Sequence, residues 1–277
     1  MDIEGPKERM KLHIEGFDEE LGGGIPLNTV TLVAGTTGTM KSSLCFNILF
    51  NEVRLNKKIG LYISLEETFE SLMGQMLSLN FDLKAIDVVK IGYDFSELRK
   101  NKDRLLKNPA KGGLIISDLG LVRRELAGKE LAPNENWFHI TKALIKELKE
   151  LVGLDIVVID SMSALHVLSQ LENPRVTLFY FFEFLRDLQV TSFLISEIPH
   201  DESKLSTFEE EPYLADGLLK LTTTDRHRKV SREISMVKLR STNANLDVFT
   251  LEFKLVAGRD EATSRFLHRR QPTENFS

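Results

Sequence analysis

The residues Gly35-Thr36-Thr37-Gly38-Thr39-Met40-Lys41-Ser42 constrain this chain more than any other stretch. They follow Val30-Thr31-Leu32-Val33-Ala34, a β-branched run that a glycine closes, and they precede a segment in which Leu44, Ile48, Leu49 and Val53 recur at helical spacing. A glycine-rich turn between a buried strand and a helix curls backbone N–H groups around an anion and aims the positive end of the helix at it. Lysine then serine at the end of that turn supply a charge for the outer phosphates of a nucleotide and a hydroxyl for a magnesium ion. The pattern assigns Thr36, Thr37, Gly38, Thr39, Met40, Lys41, Ser42 and Ser43 to nucleotide binding, and Ser42 also to the metal. One position departs from G-x-x-x-x-G-K-[ST], because Met40 stands where glycine is expected. A side chain there resists the positive φ that glycine adopts freely, which bears on turnover more than on binding. The bland alternative is a glycine- and threonine-rich turn with no ligand.

Beyond this turn, strands alternate with helices. Ile59–Ser64 reads as a second buried strand, ending in Glu66-Glu67, with a helix over residues 70–78 and a strand over 88–91. The charged stretch 90–111 reads as a less regular, solvent-facing excursion. Residues 136–151 form an amphipathic helix with Phe138, Leu144, Leu148 and Leu151 on its apolar side, and it feeds the most apolar strand, Ile156–Asp160. A helix over 178–188 leads into a strand over 192–196. From Gly217 onward strands succeed one another, over 218–222, 234–239 and 249–253, and are expected as an antiparallel extension of one sheet edge. The order predicts an α/β fold, a mostly parallel central sheet flanked by helices with antiparallel carboxyl-terminal strands. Ligands of such sheets sit at the carboxyl ends of the strands, where Gly35, Glu66, Asp160 and Ser196 all fall.

Composition removes several classes of function. With 277 residues the chain is long enough for a core without staples, and 42% hydrophobic with 28% charged residues is ordinary globular composition. A formal charge of −5 does not favour nucleic acid or an anionic membrane as a dominant partner. Cys45 is the single cysteine, which excludes an internal disulfide framework and a cysteine zinc site. Met1 to Lys11 is charged and carries no apolar core of a signal peptide, and no apolar run approaches the ~20 residues of a membrane span. The expected location is the cytoplasm.

Acidic residues complete the candidate site. Asp160 ends an apolar strand, where a carboxylate is costly unless it meets a cation or hydrogen-bond donors. It is assigned to magnesium, held through water, and a helix amino cap by Asp160, Ser161 or Ser163 is compatible with that role. Either Glu66 or Glu67 supplies a carboxylate that accepts a proton from an attacking water; the alternative is a surface pair favoured by a helix dipole.

Taken together, these residues resemble the KaiC-like branch of the RecA superfamily, found as single-domain proteins in archaea, over residues 14–253. Ile14-Glu15-Gly16-Phe17-Asp18-Glu19 with Leu21-Gly22-Gly23-Gly24-Ile25-Pro26 is similar to the family's opening segment, and Tyr62-Ile63-Ser64-Leu65-Glu66-Glu67 to its catalytic-glutamate segment. Val157-Val158-Ile159-Asp160-Ser161 resembles its Walker B strand and Ser196-Glu197-Ile198-Pro199 its sensor strand. Ala215-Asp216-Gly217 and Lys238-Leu239-Arg240 resemble its carboxyl-terminal signatures. The resemblance implies a RecA-like P-loop ATPase domain filling the chain, with its core about residues 12–256. It implies ATP and Mg²⁺ as cofactors and a homo-hexamer with nucleotide at the subunit interfaces. Glu66 is then the principal base beside Glu67, and Lys238 and Arg240 are cations that one subunit inserts toward its neighbour's γ-phosphate; the alternative for the latter two is a solvated strand face.

Two departures limit the carry-over. Met40 replaces the loop glycine, and Ser241-Thr242-Asn243-Ala244 stands where KaiC has a glycine and a histidine. KaiC also carries two such domains where this chain has room for one, so timekeeping and its phosphorylation cycle are not transferred. RecA relatives bind DNA through loops that should read basic, yet His200-Asp201-Glu202-Ser203-Lys204 and Glu209-Glu210-Glu211 read acidic, against nucleic acid. The opposing signals are Arg226-His227-Arg228-Lys229 with Arg232, and Arg269-Arg270. Trp137, Phe138 and Phe179-Tyr180-Phe181-Phe182 are expected in the core rather than as a stacking platform, Cys45 as a small buried hydrophobe, and His139 and His200 lack partners for a metal. The expected function is Mg²⁺-dependent ATP binding and slow hydrolysis by a regulatory ring ATPase with an unnamed partner protein. The alternatives are a non-hydrolysing nucleotide-sensing scaffold and a recombinase paralogue that aids DNA repair. Nothing marks Ser203–Thr207 or Ser241-Thr242 strongly as phosphoacceptors.

Overall fold

The computed structural model describes residues 8–92, 96–107, 111–119, 137–169, 173–198, 211–226, 229–256 and 263–269. The chain opens with β1 (Arg9–Met10), β2 (Ile14–Glu15), the short α1 (Phe17–Glu20) and β3 (Ile25–Pro26). Strands and helices then alternate: β4 (Val30–Gly35), α2 (Lys41–Asn56), β5 (Ile59–Ser64), α3 (Phe69–Ser78), β6 (Asp87–Ile91), α4 (Ser96–Lys107) and β7 (Gly113–Asp118). Next come α5 (Trp137–Val152), β8 (Ile156–Asp160), α6 (Met162–Ser169), α7 (Pro174–Asp187) and β9 (Thr191–Glu197). A single turn, α8 (Glu211–Leu214), precedes β10 (Gly217–Arg226), β11 (Lys229–Leu239), β12 (Val248–Val256) and β13 (Thr263–Arg269).

One 11-stranded sheet runs in the order β2-β13-β12-β11-β10-β4-β9-β8-β5-β7-β6. The seven strands from β10 to β6 are parallel to one another. The pairs β10/β11, β11/β12 and β12/β13 are antiparallel. This is the predicted α/β arrangement, and β10 is its seam, parallel to β4 on one side and antiparallel to β11 on the other.

Period-two alternation in fully buried strands builds two cores. Val33, Tyr62, Ile116 and Val158 face α2 and α3, meeting Leu44, Ile48, Leu49 and Met76. Leu32, Leu61, Ile115 and Val157 face α5 and α7, meeting Ile145, Leu148, Phe181 and Phe182. Successive strand residues point to opposite faces, so near-continuous apolar runs are what a sheet covered on both sides requires.

Several expectations are corrected. Residues 90–111 are not an irregular excursion: they include α4, and the strand β7, unforeseen, is buried between β5 and β6. The apolar part of β7 is only Leu114-Ile115-Ile116, between glycines and Ser117, too short to stand out. Of the aromatic run, Phe181 and Phe182 are core, but Phe179 and Tyr180 are 44% and 59% exposed, because a helix covered on one side buries only one face. Cys45, Trp137 and Phe138 are buried as expected. The acidic stretch 200–210, His227, Arg228 and Arg270 lie outside the described residues.

Candidate functional site

The turn after β4 has the geometry the sequence demanded. Gly38 and Met40 both adopt positive φ, 83° and 69°, and Met40 sits at the amino cap of α2. A left-handed non-glycine residue costs roughly 1–2 kcal/mol. The helix that follows buries Leu44, Phe46, Ile48, Leu49 and Val53 completely, each contributing about 1.5–3 kcal/mol. Packing of α2 therefore outweighs the strain at its first turn, and the Met40 side chain itself packs against the core. Thr39 is buried and donates its hydroxyl to Thr36 O at 2.8 Å, bracing the loop from beneath. Lys41 donates to Gly35 O at 2.9 Å and Thr36 O at 3.0 Å. Burial pushes its ammonium below the usual lysine range, against the opposing pull of Glu197, Asp160 and Glu66.

Four adjacent strands, β4, β9, β8 and β5, bring their carboxyl ends together around this loop. The resulting cleft has a volume of about 530 Å³ and is lined by Thr37 to Ser43 (apart from Thr39) together with Glu66, Glu67, Asp160, Glu197 and Arg232, a size that suits a small organic ligand. Asp160 accepts a hydrogen bond from the Tyr62 hydroxyl at 2.5 Å and another from Ser42. Burial pushes Asp160 above the usual carboxylate range; the two hydroxyls pull it down, and the charges of Glu66 and Glu67 push it further up. Burial and the Asp160 charge raise the Tyr62 phenol well above its ordinary range, so it stays a donor. The capping alternative belongs to the next residue, since Ser161 Oγ accepts Ala164 N at 3.2 Å. The same Ser161 hydroxyl donates to Glu66 Oε1 at 2.5 Å and fixes that carboxylate over the cleft. Glu67 turns toward α3, where its Oε2 accepts from Ser71 Oγ at 3.2 Å.

A divalent ion suits this donor set. One half-buried carboxylate and one hydroxyl lie in contact beside the loop, which is the protein share of a magnesium site completed by water and phosphate oxygens. Among the described residues no cluster of three acidic, histidine or cysteine side chains offers an all-protein metal cage.

The structure adds residues that sequence reasoning missed. Glu197 ends β9 as Asp160 ends β8, and is the strongest opposing charge on Lys41. The same positional signal would have found it. Arg232 was read as part of a solvated basic run, yet its Nε donates to Gly38 O at 3.2 Å and it lines the cleft. Only pairing of β10 with both β4 and β11 brings it there, and no local pattern reveals that.

Lys238 and Arg240 are not brought to this cleft. Along β11, Arg232 pairs with Thr223 near the loop end of the sheet, whereas Lys238 pairs with Leu218 near the start of β10, roughly 20 Å away at ~3.4 Å per residue. Lys238 Nζ donates to Pro212 O and Tyr213 O at 3.1 and 3.2 Å, and Arg240 Nη2 to Tyr213 O at 3.3 Å. Arg240 Nη1 reaches Asp216 Oδ1 at 3.2 Å, on a carboxylate that also accepts Arg186 Nε and Val30 N. Burial and the Arg240 charge hold Lys238 below its usual range.

Comparison with known proteins bears on the family and the fold. The family model for the ATPase KaiC matches residues 10–257. The chain is 27% identical over 241 residues to the circadian clock oscillator protein KaiC 1 of Synechocystis sp., covering 85% of this chain and 40% of that protein. It thus spans about two fifths of the length of such clock relatives. A UPF0273 protein of Aeropyrum pernix is 25% identical over 248 residues, 86% of this chain and 88% of its own length. The crystal structure of a KaiC-like protein from Pyrococcus horikoshii superposes with a TM-score of 0.68 at 20% identity, over 96% of this chain and all of that one.

Proposed function

The chain belongs to the KaiC family of ATPases, and from that premise we propose that it binds ATP with Mg²⁺ in the cleft and hydrolyses it slowly as a regulatory ring assembly. The observation that carries this reading is the convergence of Lys41, Ser42, Asp160 and Glu66 on one cleft from three strand ends. The amides of residues 36–43 and the Lys41 ammonium receive the phosphates at the amino terminus of α2. Ser42 and Asp160 would hold the magnesium ion, which when bound neutralises charge on the β- and γ-phosphates. Glu66, oriented by Ser161, takes the proton of the attacking water, with Glu67 beside it. Arg232 adds a cation from the same chain.

Lys238 and Arg240 lie too far from their own cleft to serve it, which supports their acting on a neighbouring copy. Head-to-tail contacts that place the same cationic edge against the next cleft close into a ring. The domain fills the chain, with its core about residues 12–256, and the output is a signal to a partner protein in the cytoplasm.

Phosphate release by the wild type and Glu66→Gln, read beside the size of the protein with and without ATP, tests the proposal. Expected are release by the wild type alone and assembly with ATP in both. Equal background release from both proteins would replace the enzyme by a nucleotide-binding scaffold, and salt-sensitive binding of single-stranded DNA would instead support the recombinase-paralogue reading.

A further inference from the structure

Buried in the described part of the fold is a charged group that the reaction outlined above leaves without a task. Glu211 is completely buried, and its two carboxylate oxygens are both engaged. Oε2 accepts the Ser196 hydroxyl at 2.7 Å, and Oε1 lies 3.1 Å from His166 Nε2, itself buried. A buried carboxylate is costly, and breaking such a pair by removing one partner is more destabilising than the pair is stabilising. The carboxylate serves two buried groups on two different elements, His166 on α6 and Ser196 on β9, so its removal would take a partner from both at once.

Its neighbours in sequence suggest the task. Glu211 opens α8, a single turn closed by one bond, from Ala215 N to Glu211 O at 3.1 Å. Each of the next three carbonyls instead receives a cation: Pro212 O and Tyr213 O take Lys238, Tyr213 O also takes Arg240, and Leu214 O takes Arg186 at 2.5 Å. On its other side, Ser196 is the residue before Glu197, which lines the cleft and acts on Lys41. The Glu211 side chain is thus the direct link between the cleft end of β9 and the platform on which Lys238 and Arg240 rest. Whatever path residues 199–210 take, the 2.7 Å bond fixes the two ends of that segment to one another.

We propose that Glu211 is a positioning residue for hydrolysis: it locks α8 to β9 so that Lys238 and Arg240 are presented to the γ-phosphate of a neighbouring copy in register with the subunit's own cleft. The inference rests on the trans role proposed for those two cations. Misplacing a catalytic group by about 1 Å can cost roughly 100-fold in rate, so Glu211→Ala is expected to lower kcat about that much with KM for ATP little changed.

Mixing experiments separate positioning from folding. Glu211→Ala subunits keep an intact cleft but misplace their cations, and Glu66→Gln subunits keep intact cations but lack the base. Each homogeneous protein is expected to be nearly inactive. An equal mixture in which subunits exchange restores about a quarter of the wild-type rate, because one in four head-to-tail contacts then joins a good cleft to well-placed cations. A purely structural role gives no such recovery. Should Glu211→Ala not fold, Ser196→Ala, which removes the 2.7 Å bond to β9 and leaves Glu211 in place, takes its place in the same mixture. Wild-type kcat in these variants, or no recovery on mixing although each variant folds and binds ATP, overturns the proposal. If the wild type itself releases no phosphate, it is the function proposed above that fails; if Lys238→Ala is slow while the Glu211 and Ser196 variants are not, this inference alone fails.

Discussion

The two ends of β11 carry opposite electrostatic designs. At the end marked by Arg232, four carboxylates, Glu66, Glu67, Asp160 and Glu197, converge on a cleft whose cations are Lys41 and Arg232. At the end marked by Lys238, Arg186, Lys238 and Arg240 lie about the carboxylate of Asp216 and are also held, among the described residues, by carbonyl oxygens. Carbonyls orient a cation without cancelling its charge. Among the described residues, one end is thus rich in carboxylates and the other in cations. In the ring proposed above, each end would meet its opposite on the next copy.

The largest expected effect breaks the far end. Lys238→Ala with Arg240→Ala should lower ATP hydrolysis by ~10³–10⁵-fold, the range found where trans cations have been removed, while ATP affinity measured by titration calorimetry changes little. If ATP affinity fell in parallel on an isolated subunit, the two ends would not be separate. Next in size is the base. Glu66→Gln should cost ~10²–10⁴-fold in phosphate release, and Glu67→Gln distinctly less, because Glu66 alone is held by Ser161.

Asp160→Asn sharpens the contrast by setting function against stability. Neutralising this residue should lower hydrolysis by ~10²–10³-fold, the size of several kcal/mol of lost charge stabilisation. Its effect on stability has the opposite sign. Because burial raises the folded-state pKa, the folded protein binds the proton more tightly than the unfolded chain, and stability falls as pH rises from the ordinary aspartate range through the raised value. Asp160→Asn should therefore melt higher than the wild type at neutral pH, with the gain shrinking as pH drops toward the ordinary aspartate range. A melting temperature below wild type at pH 7 would show that the hydroxyls of Tyr62 and Ser42 outweigh desolvation.

The smallest effect is at Met40. Its left-handed backbone penalises a β-branched residue most, so Met40→Val should lose about 1–2 kcal/mol in denaturant unfolding. Met40→Gly should shift stability by less than about 1 kcal/mol, since relief of strain is offset by lost packing and a more flexible unfolded chain.

How much of this was legible in the sequence follows from how local each signal is. The loop, the strand before it and the helix after it are contiguous, so Lys41 and Ser42 could be placed from their neighbours alone. Asp160 and Glu66 were legible because each ends a run of apolar residues, and strand ends are where parallel sheets gather ligands. Arg232 was not, because only β10 lying between β4 and β11 brings it beside Gly38. Strand β7 escaped notice for having three apolar residues, and Glu211 because a buried carboxylate looks, in sequence, like the acidic run around it. The separation of Lys238 and Arg240 from the cleft is likewise a matter of register, which no single segment contains.

Everything proposed for either end presupposes that the cleft after β4 takes a nucleoside triphosphate. Titration calorimetry of the wild type and of Lys41→Ala with ATP and Mg²⁺ tests that most directly. The account predicts a saturable heat in the wild type that Lys41→Ala abolishes while its fold is retained. No heat in the wild type, or the same isotherm from both proteins, would contradict it.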